Sequence, residues 1–548
     1  MNQEEKMTKN LLKDCWLQVQ SQQQISLKKI NLAQISDRYF IDVYAPRADF
    51  KGALYQFLIG LLQVSFAPER RKEWIKYWQQ APTETELTQA FQPYLEVFEL
   101  ANEMGKPAFM QDLELAEGTV NDISSLFIEA PGDNTIKNNQ DHFIKRGTIQ
   151  QVSPYWAAIA LFTLQINAPS GGQGHRVSLR GGGPLTTLVL PPPDSAFNTL
   201  WHRLWLNVLT QEEMEEQFGV STLKKVSDIF PWMAKTRISK AKGSETYPQH
   251  TNPLQMYWSM PRRIRLKWTD TLGLCDVSGE SSDNFAQEYI TQNYGVNYAG
   301  SWEHPLTPYV FETGKEPYSI KAQPGGIGYR HWLELAAVNE EEKKKRHCAK
   351  IVEKYGVRHR WIKTDFKTPQ LWTFGYDMDN MKARCWYEAT MPLYSVEAVY
   401  ADELRHYVKT MIHDATEALY LTKQAIKIAW YENPKDDPNA KKFNEKAVAI
   451  DSNFWKITEE RFYQLLGQQV DAVQQDEKMS KQLLNQWRAY LKNVALNLFD
   501  SYALSSGNED GDFKRLIRAR HGKRETEKGK KKDGLEYWLN IKLKPSAV

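Results

Sequence analysis

Residues 404–430 read LRHYVKTMIHDATEALYLTKQAIKIAW, and this stretch decides the fold class of the C-terminal part of the chain. Its apolar side chains recur every three or four residues over about eight helical turns, which predicts one long amphipathic helix. The apolar positions are Leu404, Val408, Met411, Ala415, Leu419, Ile426 and Trp430. Asn433 and Pro434 follow, and proline disfavours the helical conformation of the residue before it, so the helix should end there.

Three further segments of the C-terminal part favour helices. Residues 443–466 and 481–499 show the same apolar spacing, and a basic run from Phe513 predicts a fourth helix. Four helices joined by short loops are typical of an antiparallel bundle. We therefore predict a C-terminal antiparallel four-helix bundle with a basic C-terminal segment over residues 393–548.

The N-terminal part, residues 1–392, has a mixed character. Residues 49–66 and residues 83–99 each predict a helix from their apolar spacing. Short strands with turn signals are predicted over about residues 163–386. The predicted fold class is therefore α+β, with a large mixed α/β N-terminal domain followed by the bundle of residues 393–548.

The composition is that of an ordinary globular protein. Of the 548 residues, 41% are hydrophobic and 25% are charged, which excludes wholesale disorder and a collagen-like chain. The cysteines Cys15, Cys275, Cys348 and Cys385 form no CxxC pair, which argues against a disulfide scaffold or a cysteine-rich zinc module. The N-terminus has no apolar signal segment, and the apolar run over residues 155–162 is far shorter than the ~20 residues of a membrane helix. We therefore expect a soluble, cytoplasmic protein.

Positive charge is concentrated near the C-terminus. The whole chain carries a net charge of only +3, yet residues 514–532 hold ten basic and two acidic side chains. Such an excess favours either contacts with nucleic-acid phosphates or a solvated tail. A second pattern, over residues 262–268, alternates basic and apolar side chains from Arg263 onward. It predicts a strand with one basic face, a plausible wall for a nucleic-acid groove.

No catalytic motif stands out. The sequence has no G-x-x-x-x-G-K-[ST] loop, no H-E-x-x-H pair, no G-x-S-x-G elbow and no EF-hand loop. The best metal-like set, His406, His413 and Glu417, is more typical of a solvated helix face than of a metal site. We therefore predict no catalytic residue, no metal and no cofactor. The alternatives are a nucleic-acid- or glycan-processing hydrolase whose carboxylates are distant in sequence, and a stand-alone DNA-binding regulator.

Two glycine clusters, about ten residues apart, lie between apolar runs. The first lies in Ser170–Gly174 and is followed by Arg176; the second is Gly181–Gly183, preceded by Arg180. Glycines let the backbone approach a ligand closely because no Cβ intervenes, and arginines favour a phosphate-rich ligand. The spacing fits neither a dinucleotide-binding fingerprint nor a phosphate loop. By itself, the segment indicates either a phosphate-rich ligand or two ordinary turns.

The order of several short blocks resembles a known family. These blocks are KPAFMQ (106–111), AIALF (158–162), the glycine loop (170–174), LRGG (179–182), PLTTLV (184–189), LNVL (206–209), FW (454–455), TE (458–459) and FY (462–463). In this order, from about residue 10 to residue 520, the chain resembles the large subunit of the type I-E CRISPR Cascade complex, the CasA family. That family has a large mixed α/β domain followed by a four-helix bundle, which agrees with the architecture predicted above.

The resemblance implies a non-enzymatic subunit of a crRNA-guided antiviral surveillance complex. Such a subunit recognises the protospacer-adjacent motif (PAM) in double-stranded DNA, largely from the minor groove. It also promotes duplex opening and R-loop formation and helps to recruit the helicase–nuclease, while guide pairing supplies the sequence specificity. The implied partners are the other Cascade subunits, the crRNA 5′ handle, target double-stranded DNA and the helicase–nuclease, with one copy of the chain per complex and no membrane.

The resemblance also implies positions for these roles. The family's glycine loop falls on residues 170–174, its finger lysine on Asn293, and its wedge hairpin on residues 376–382, where Met381 would be an apolar wedge between base steps. The implied PAM- and DNA-binding residues are Gly171, Gly172, Gln173, Gly174, Asn293, Asp379, Asn380 and Met381.

Two further sets of contacts are expected. The nucleic-acid backbone contacts are predicted to be Arg176, Arg180, Lys514, Arg515, Arg518 and Arg520. The polar stretch over residues 129–148 predicts an exposed loop. By resemblance, this loop after Phe127 meets the crRNA 5′ handle and the neighbouring subunits.

Overall fold

The computed structural model describes most of the chain. The described residues are 9–22, 26–130, 147–337, 339–341, 344–362, 368–379, 382–394, 396, 398–474, 480–503, 512–522 and 533–546. The chain divides into two compact units, Met1–Gln323 with Glu340–Thr390, and Pro324–Asn339 with Met391–Val548. The second unit thus includes residues 324–339, which the sequence analysis assigned to the N-terminal domain.

Thirteen strands in the described part of the chain form four small sheets. They are β1 (Leu17–Ser21), β2 (Lys28–Ile30), β3 (Phe40–Val43), β4 (Thr119–Asp122), β5 (Thr186–Leu190), β6 (Arg263–Leu274), β7 (Ser281–Gln292), β8 (Tyr309–Glu312), β9 (Tyr318–Ser319), β10 (Asn339–Glu341), β11 (Lys344–His347), β12 (Gln370–Asp379) and β13 (Lys382–Pro392). The strand orders are β2–β1–β3, β4–β7–β6, β13–β12–β5 and β10–β11–β8–β9. In the antiparallel pair β6–β7, Arg263 lies opposite Gln292. The residues before β6 and after β7 therefore lie at the same end of this sheet.

The first unit contains eight described helices. They are α1 (Ala48–Ser65), α2 (Arg71–Gln79), α3 (Glu84–Phe91), α4 (Pro154–Asn167), α5 (Leu200–Trp205), α6 (Gln211–Phe218), α7 (Val226–Ile229) and α9 (Lys350–Arg358). The helix predicted over residues 49–66 is confirmed as α1. The helix predicted over residues 83–99 is shorter: α3 ends at Phe91 and a 3₁₀ turn over Gln92–Tyr94 follows. Pro93 explains this difference because proline has no backbone N–H to continue the helix.

Aromatic side chains form much of the core of the first unit. Phe57 on α1 packs edge-on against four buried rings, with centroid distances of 5.6–5.8 Å. These rings belong to Phe98, Phe109, Phe162 and Trp258. Edge-to-face contact is a favoured geometry because a positive ring edge meets a negative ring face. At these positions the aromatic residues are core, not surfaces on which bases or sugars could stack.

The arginines of strand β6 point inward. A strand over residues 262–268 is confirmed, but Arg263 and Arg265 are both buried. Arg263 Nε lies 2.6 Å from Asp112 Oδ2, and Arg265 Nη2 donates to the backbone O of Asn102 at 2.7 Å. Buried cations need such partners. The prediction of a basic strand face that walls a groove is therefore wrong, and these arginines instead fix β6 to the segment before β4.

The second unit is helical. Its described helices are α8 (Trp332–Ala336), α10 (Ala401–Trp430), α11 (Pro438–Lys441), α12 (Phe443–Lys446), α13 (Val448–Gln474), α14 (Lys481–Ala503), α15 (Phe513–His521) and α16 (Leu535–Lys542). The long helix predicted over residues 404–430 is confirmed as α10, which contacts α13, α14, α15 and α16. Trp487 on α14 donates its indole N–H to the backbone O of Met411 on α10 at 2.9 Å. Helix α10 is thus the central element of this unit.

The structure differs from the prediction of a fourth long helix. Helix α15 begins at Phe513 as expected but has only 9 residues. It ends at His521, and the next residue, Gly522, has φ of 82°, the left-handed conformation that commonly terminates helices. A separate helix, α16, has 8 residues. The α+β fold class is confirmed, whereas a bundle of four long helices is not.

The length and polarity of the helices bear on membrane insertion. The longest described helix, α10, has 30 residues, which exceeds the ~20 needed to cross a bilayer. Charged residues, among them Arg405, Lys409, Asp414 and Glu417, recur along it. Across the described ranges, no helix combines the length and the apolar character that a membrane crossing requires.

Candidate nucleic-acid interface

Two segments that are distant in sequence meet at the end of the sheet β4–β7–β6. The glycine loop, residues 170–174, lies against Asn293, which directly follows β7. The Asn293 side chain donates from Nδ2 to the backbone O of Gln173 at 2.9 Å. The backbone N–H of Tyr294 donates to the backbone O of Gly174 at 2.8 Å. The structure therefore brings together the predicted residues Gly171, Gly172, Gln173, Gly174 and Asn293.

Left-handed glycines shape this loop. Gly172 has φ of 88° and Gly174 has φ of 79°, a conformation that glycine adopts without steric cost. A Cβ added to Gly174 would lie 2.8 Å from Asn293 Cβ, closer than real Cβ contacts. Gly171, Gly172, Gln173 and Asn293 are exposed. The result is an exposed stretch of backbone, with two amide side chains, that a ligand can approach closely.

A brace behind the loop holds the Asn293 segment. Tyr294 has φ of 66°, an uncommon left-handed conformation for a bulky residue. The Arg176 guanidinium lies over the Tyr294 ring at 5.8 Å, and it donates to Ser239 Oγ at 2.7 Å and to Ser239 O at 2.6 Å. Ser239 Oγ in turn donates to the backbone O of Gly295 at 2.6 Å. Arg176 therefore positions the loop, which is a role that sequence spacing did not reveal.

Arg262 places a positive charge beneath the glycine loop. Its Nη2 donates to the backbone O of Pro169, and its backbone N–H and C=O each bond to the Gln165 amide at 2.9 Å. Burial lowers the pKa of Arg262 to about 10, so the guanidinium stays charged at neutral pH. Burial, and secondly the charge of Arg262, lower the pKa of His175. The loop base is thus cationic through Arg262, while His175 is biased toward its neutral form.

The second glycine cluster packs against strand β12. Gly183 has φ of 60°, and a Cβ there would lie 2.7 Å from Met378 Cγ and 2.9 Å from the backbone O of Tyr376. A Cβ on Gly182 would lie 2.9 Å from Pro169 Cα. Residues 169–183 therefore link the base of the glycine loop with the last residues of β12.

The predicted wedge lies between β12 and β13, which are neighbours in one sheet. Asn380 and Met381 are outside the described residues. Asp379, the last residue of β12, is exposed, and its Oδ2 lies 3.5 Å from Arg384 Nη1. Arg384 Nη2 also lies 2.7 Å from Asp377 Oδ1. Asp379 is thus part of an ion-pair cluster that joins the two strands next to the predicted wedge.

Arg180 does not face solvent. Its side chain lies in the core, with the residue 5% exposed, and Nη1 donates to Thr186 Oγ1 at 3.1 Å and Thr307 Oγ1 at 3.0 Å. Nη2 donates to Gln56 Oε1 at 2.6 Å. Burial lowers the pKa of Arg180 to about 10. The prediction that Arg180 contacts a nucleic-acid backbone is therefore wrong, because a core guanidinium with these partners cannot reach a phosphate.

The four predicted cations of helix α15 fall into two pairs. Lys514 and Arg518 are exposed. By contrast, Arg515 Nε donates to the backbone O of Ala429 at 2.9 Å, and Arg520 Nε lies 2.6 Å from Asp500 Oδ1. Arg520 also pairs with Glu536. Arg515 and Arg520 therefore fasten α15 within the second unit, and only the other pair stays open to a phosphate. The basic residues 523–532 lie outside the described residues.

Phe127 is also an interior residue. It is 5% exposed, its ring stacks on Phe50 with a centroid distance of 5.8 Å, and the Arg47 guanidinium lies 5.0 Å from its ring centroid. Phe127 therefore anchors the start of the following loop in the interior, and the contact predicted for that loop stays a prediction. Residues 131–146 of that loop lie outside the described residues.

Potential metal-ligating side chains are scattered over the described part of the chain. The described residues contain no group of three or more His, Cys, Asp and Glu side chains that could hold a metal ion. His406, His413 and Glu417 lie on α10, where Glu417 Oε1 is 3.6 Å from Lys542 Nζ. The four cysteines are free. The exposed groups around Asn293 are side-chain amides and backbone groups, which can form hydrogen bonds with a ligand.

Comparison with known proteins identifies the family. Residues 10–498 match the family model of CRISPR-associated protein Cse1. CasA of Thermus thermophilus is similar in structure with a TM-score of 0.68 and 15% identity, over 98% of this chain and 99% of that chain. Cse1 from Acidimicrobium ferrooxidans gives a TM-score of 0.64 and 14% identity, over 94% and 98%. A chain of a CRISPR RNA-guided surveillance complex gives 0.61 and 15%, over 93% and 97%.

These similarities confirm the resemblance found in the short sequence blocks. At such low identity, the similar structures show a shared fold. The Thermus thermophilus protein is named both CasA and Cse1, so the two names refer to the same family. The family model spans most of the chain. This protein therefore belongs to the CRISPR-associated Cse1 family, the CasA large subunits.

Proposed function

We propose that this chain is the large subunit of a type I-E crRNA-guided surveillance complex and that it recognises the PAM in double-stranded target DNA. The observation that carries the proposal is the contact between the glycine loop and Asn293, which form one exposed surface of backbone and amide groups. Contacts with phosphates and pairing with the guide RNA do not require an exposed surface of this kind. Recognition of a short motif through its base edges does require one.

The chemistry of this surface suits the minor groove. Asn293 Nδ2 is held by the backbone O of Gln173, while Oδ1 has no partner among the described residues and can accept from the amino group of a guanine. Gln173 is exposed and its amide can donate to the acceptors that every base pair displays there. Because amides both donate and accept and carry no charge, such a reader accepts several PAM sequences.

Opening of the duplex is assigned to the segment between β12 and β13. Asn380 and Met381 lie there, and the ion pairs of Arg384 with Asp377 and Asp379 stabilise the strand ends beside them. An apolar side chain that enters a base step must offset an unstacking cost of a few kcal/mol. A stiff pair of strands supports such a wedge better than a loop would.

The remaining parts of the proposal concern assembly. The chain binds the other Cascade subunits and the crRNA 5′ handle, helps to recruit the helicase–nuclease, and catalyses nothing itself. Exposed Lys514 and Arg518 on α15 contribute phosphate contacts that do not depend on base sequence. What supports these roles is family membership together with the cationic surface of α15.

The test uses the assembled complex with and without this chain. Two targets of identical sequence are compared, one fully paired and one with a pre-opened protospacer, each with a set of PAM sequences. We expect binding to the paired target to require this chain and to depend on the PAM, and binding to the pre-opened target to depend far less on either. PAM-dependent binding to the paired target by complexes that lack this chain would contradict the proposal. Complexes with Asn293→Ala should rank the PAM sequences on the paired target differently, and complexes with Asn493→Ala, an exposed asparagine of α14, serve as their matched control.

A further inference from the structure

An exposed basic segment adjoins the PAM-reading surface. Residues 235–242 read KTRISKAK and contain four cations. Lys235 Nζ lies 2.8 Å from Glu114 Oε2. Arg237, Lys240 and Lys242 are exposed and form no ion pair within the described part of the chain. None of these residues has a role in the function proposed above.

The segment is fixed to the strand-following residues 294–299 at two points. The first is Ser239, whose backbone N–H donates to the backbone O of Tyr294 at 3.0 Å. The second is Thr246, whose backbone N–H donates to the backbone O of Asn297 at 2.7 Å and whose backbone O accepts from Ala299 at 3.0 Å. Ser239 and Thr246 are buried. Residues 240–245 therefore form a turn, which we name the basic turn, with both ends anchored to the segment that follows Asn293.

The interior of the basic turn holds its cations outward. Gly243 is left-handed, with φ of 83°, and Ser244 Oγ donates to the backbone O of Ala241. Residues 240–243 are exposed, and Glu245, the sole acidic residue of the turn, is half-buried. Together with Arg237, the turn thus presents three positive charges within three residues of Ser239, which belongs to the Arg176–Ser239 brace.

We propose that Arg237, Lys240 and Lys242 bind phosphates of the target duplex next to the PAM. This inference rests on the proposed function, because it needs the duplex to lie on Asn293. A B-DNA duplex carries one phosphate charge per ≈1.7 Å of axis, so phosphates are closely spaced wherever a duplex passes an anchored cationic turn beside a groove reader. These contacts fix the register in which the glycine loop meets the base edges.

The composition of the turn indicates a paired rather than an opened strand. Proteins that bind single strands combine cations with aromatic side chains on which bases stack. Residues 237–245 contain no aromatic side chain. The cations reach phosphates and nothing in the segment offers a stacking surface for an unpaired base.

The experiment compares two triple variants in the full complex with its guide. The test variant carries Arg237→Ala, Lys240→Ala and Lys242→Ala; the charge-matched control carries Lys13→Ala, Arg70→Ala and Lys72→Ala, all exposed in the first unit. Affinity for a paired target with a fixed PAM is measured over a range of salt concentrations. The slope of log K against log[salt] should become shallower by about 0.9 for each phosphate that is no longer neutralised, up to roughly 2.7 in the test variant. The control should keep the wild-type slope, and affinities for different PAMs should fall by the same factor in the test variant.

Each other outcome overturns the proposal. A wild-type slope means that the turn does not touch phosphates, and a changed PAM ranking means that it reads bases. A loss of guide RNA from the complex, with an unchanged slope, means that the turn binds RNA instead. Lys240→Gln with Lys242→Gln, which removes charge and keeps side-chain length, repeats the test if the triple variant does not fold. Asn293→Ala, assayed in parallel, tests PAM recognition separately from phosphate binding by the basic turn. If Asn293→Ala changes the PAM ranking while the turn variant keeps the wild-type salt slope, only the proposal for the basic turn is overturned.

Discussion

The two glycine clusters of one short segment have similar sequences and opposite surroundings. A Cβ at Gly183 would lie 2.7 Å from Met378 Cγ, and one at Gly182 would lie 2.9 Å from Pro169 Cα. At Gly172 no described atom lies within 4 Å of such a Cβ. Gly182 and Gly183 of the second cluster thus permit close packing, whereas Gly172 of the first cluster leaves backbone open at the surface. The composition of the two clusters does not distinguish them, whereas the atoms that surround each glycine do.

The arginines next to the clusters repeat this difference. Arg176, after the first cluster, is half-buried and braces Ser239 and Tyr294. Arg180, before the second cluster, is buried and bonded to Gln56 and two threonine hydroxyls. The second cluster therefore belongs to the core of the first unit, and the first cluster belongs to the proposed binding surface.

Alanine substitutions of Arg176 and Arg180 should give the largest difference in stability between the surface region and the core region. Arg180→Ala should lower the free energy of unfolding by about 3 kcal/mol, because it removes buried hydrogen bonds to Gln56, Thr186 and Thr307 and leaves Gln56 Oε1 only the longer bond from Thr186 Oγ1 at 3.2 Å. Arg176→Ala removes hydrogen bonds near the surface and should cost about 1 kcal/mol. Chemical denaturation of the isolated chain, followed by tryptophan fluorescence, measures both. Equal losses for the two variants would contradict the division into core and surface.

Alanine substitutions at the glycines give the next largest difference. Gly183→Ala combines a left-handed backbone with overlap against Met378 and should cost about 2 to 4 kcal/mol. Gly172→Ala meets no neighbour and should cost about 1 to 2 kcal/mol, from backbone strain alone. Thermal unfolding of the two variants should therefore differ clearly. If Gly172→Ala is the more destabilising, the first cluster is the packed one and the comparison is inverted.

Gly174→Ala tests the contact between the loop and Asn293. The new Cβ would lie 2.8 Å from Asn293 Cβ, so the asparagine must move. We expect the affinity of the complex for a paired target to fall about tenfold, which corresponds to about 1.4 kcal/mol. Gly314→Ala is the matched control, because Gly314 has φ of 80° and no described atom lies within 4 Å of its Cβ position. Similar losses in both variants would show that backbone strain, and not the Asn293 contact, matters.

The sequence predicted the elements with long periodic patterns. Helices α1 and α10 have apolar side chains at regular spacing, and burial of those faces decides their conformation. Helix α3 was predicted too long because Pro93 ends it despite the continuing apolar pattern. The single long fourth helix was also mispredicted, since α15 ends at His521 after two turns.

Sequence patterns were least informative about where charged side chains point. Arg263 and Arg265 alternate with apolar residues as surface residues of a strand would, yet Asp112 and the Asn102 carbonyl compensate their burial. Those partners lie about 150 positions away in sequence, so spacing within the strand cannot reveal them. The same holds for Ser239, which joins Arg176 to Gly295 only through the tertiary fold. The glycine loop and Asn293, by contrast, were placed by family resemblance.

We propose that the first glycine cluster and Asn293 read the PAM while the segment between β12 and β13 opens the duplex. Binding to a randomised PAM library, measured beside strand opening on the same complexes, tests it most directly. Asn293→Ala should change the ranking of PAMs by about fivefold, the size of one neutral hydrogen bond of about 1 kcal/mol. Asn380→Ala combined with Met381→Ala should leave initial binding and PAM ranking intact and slow R-loop formation. If the two variants behave alike, or if Asn293→Ala leaves the ranking unchanged, the assignment of the reader to this surface is wrong.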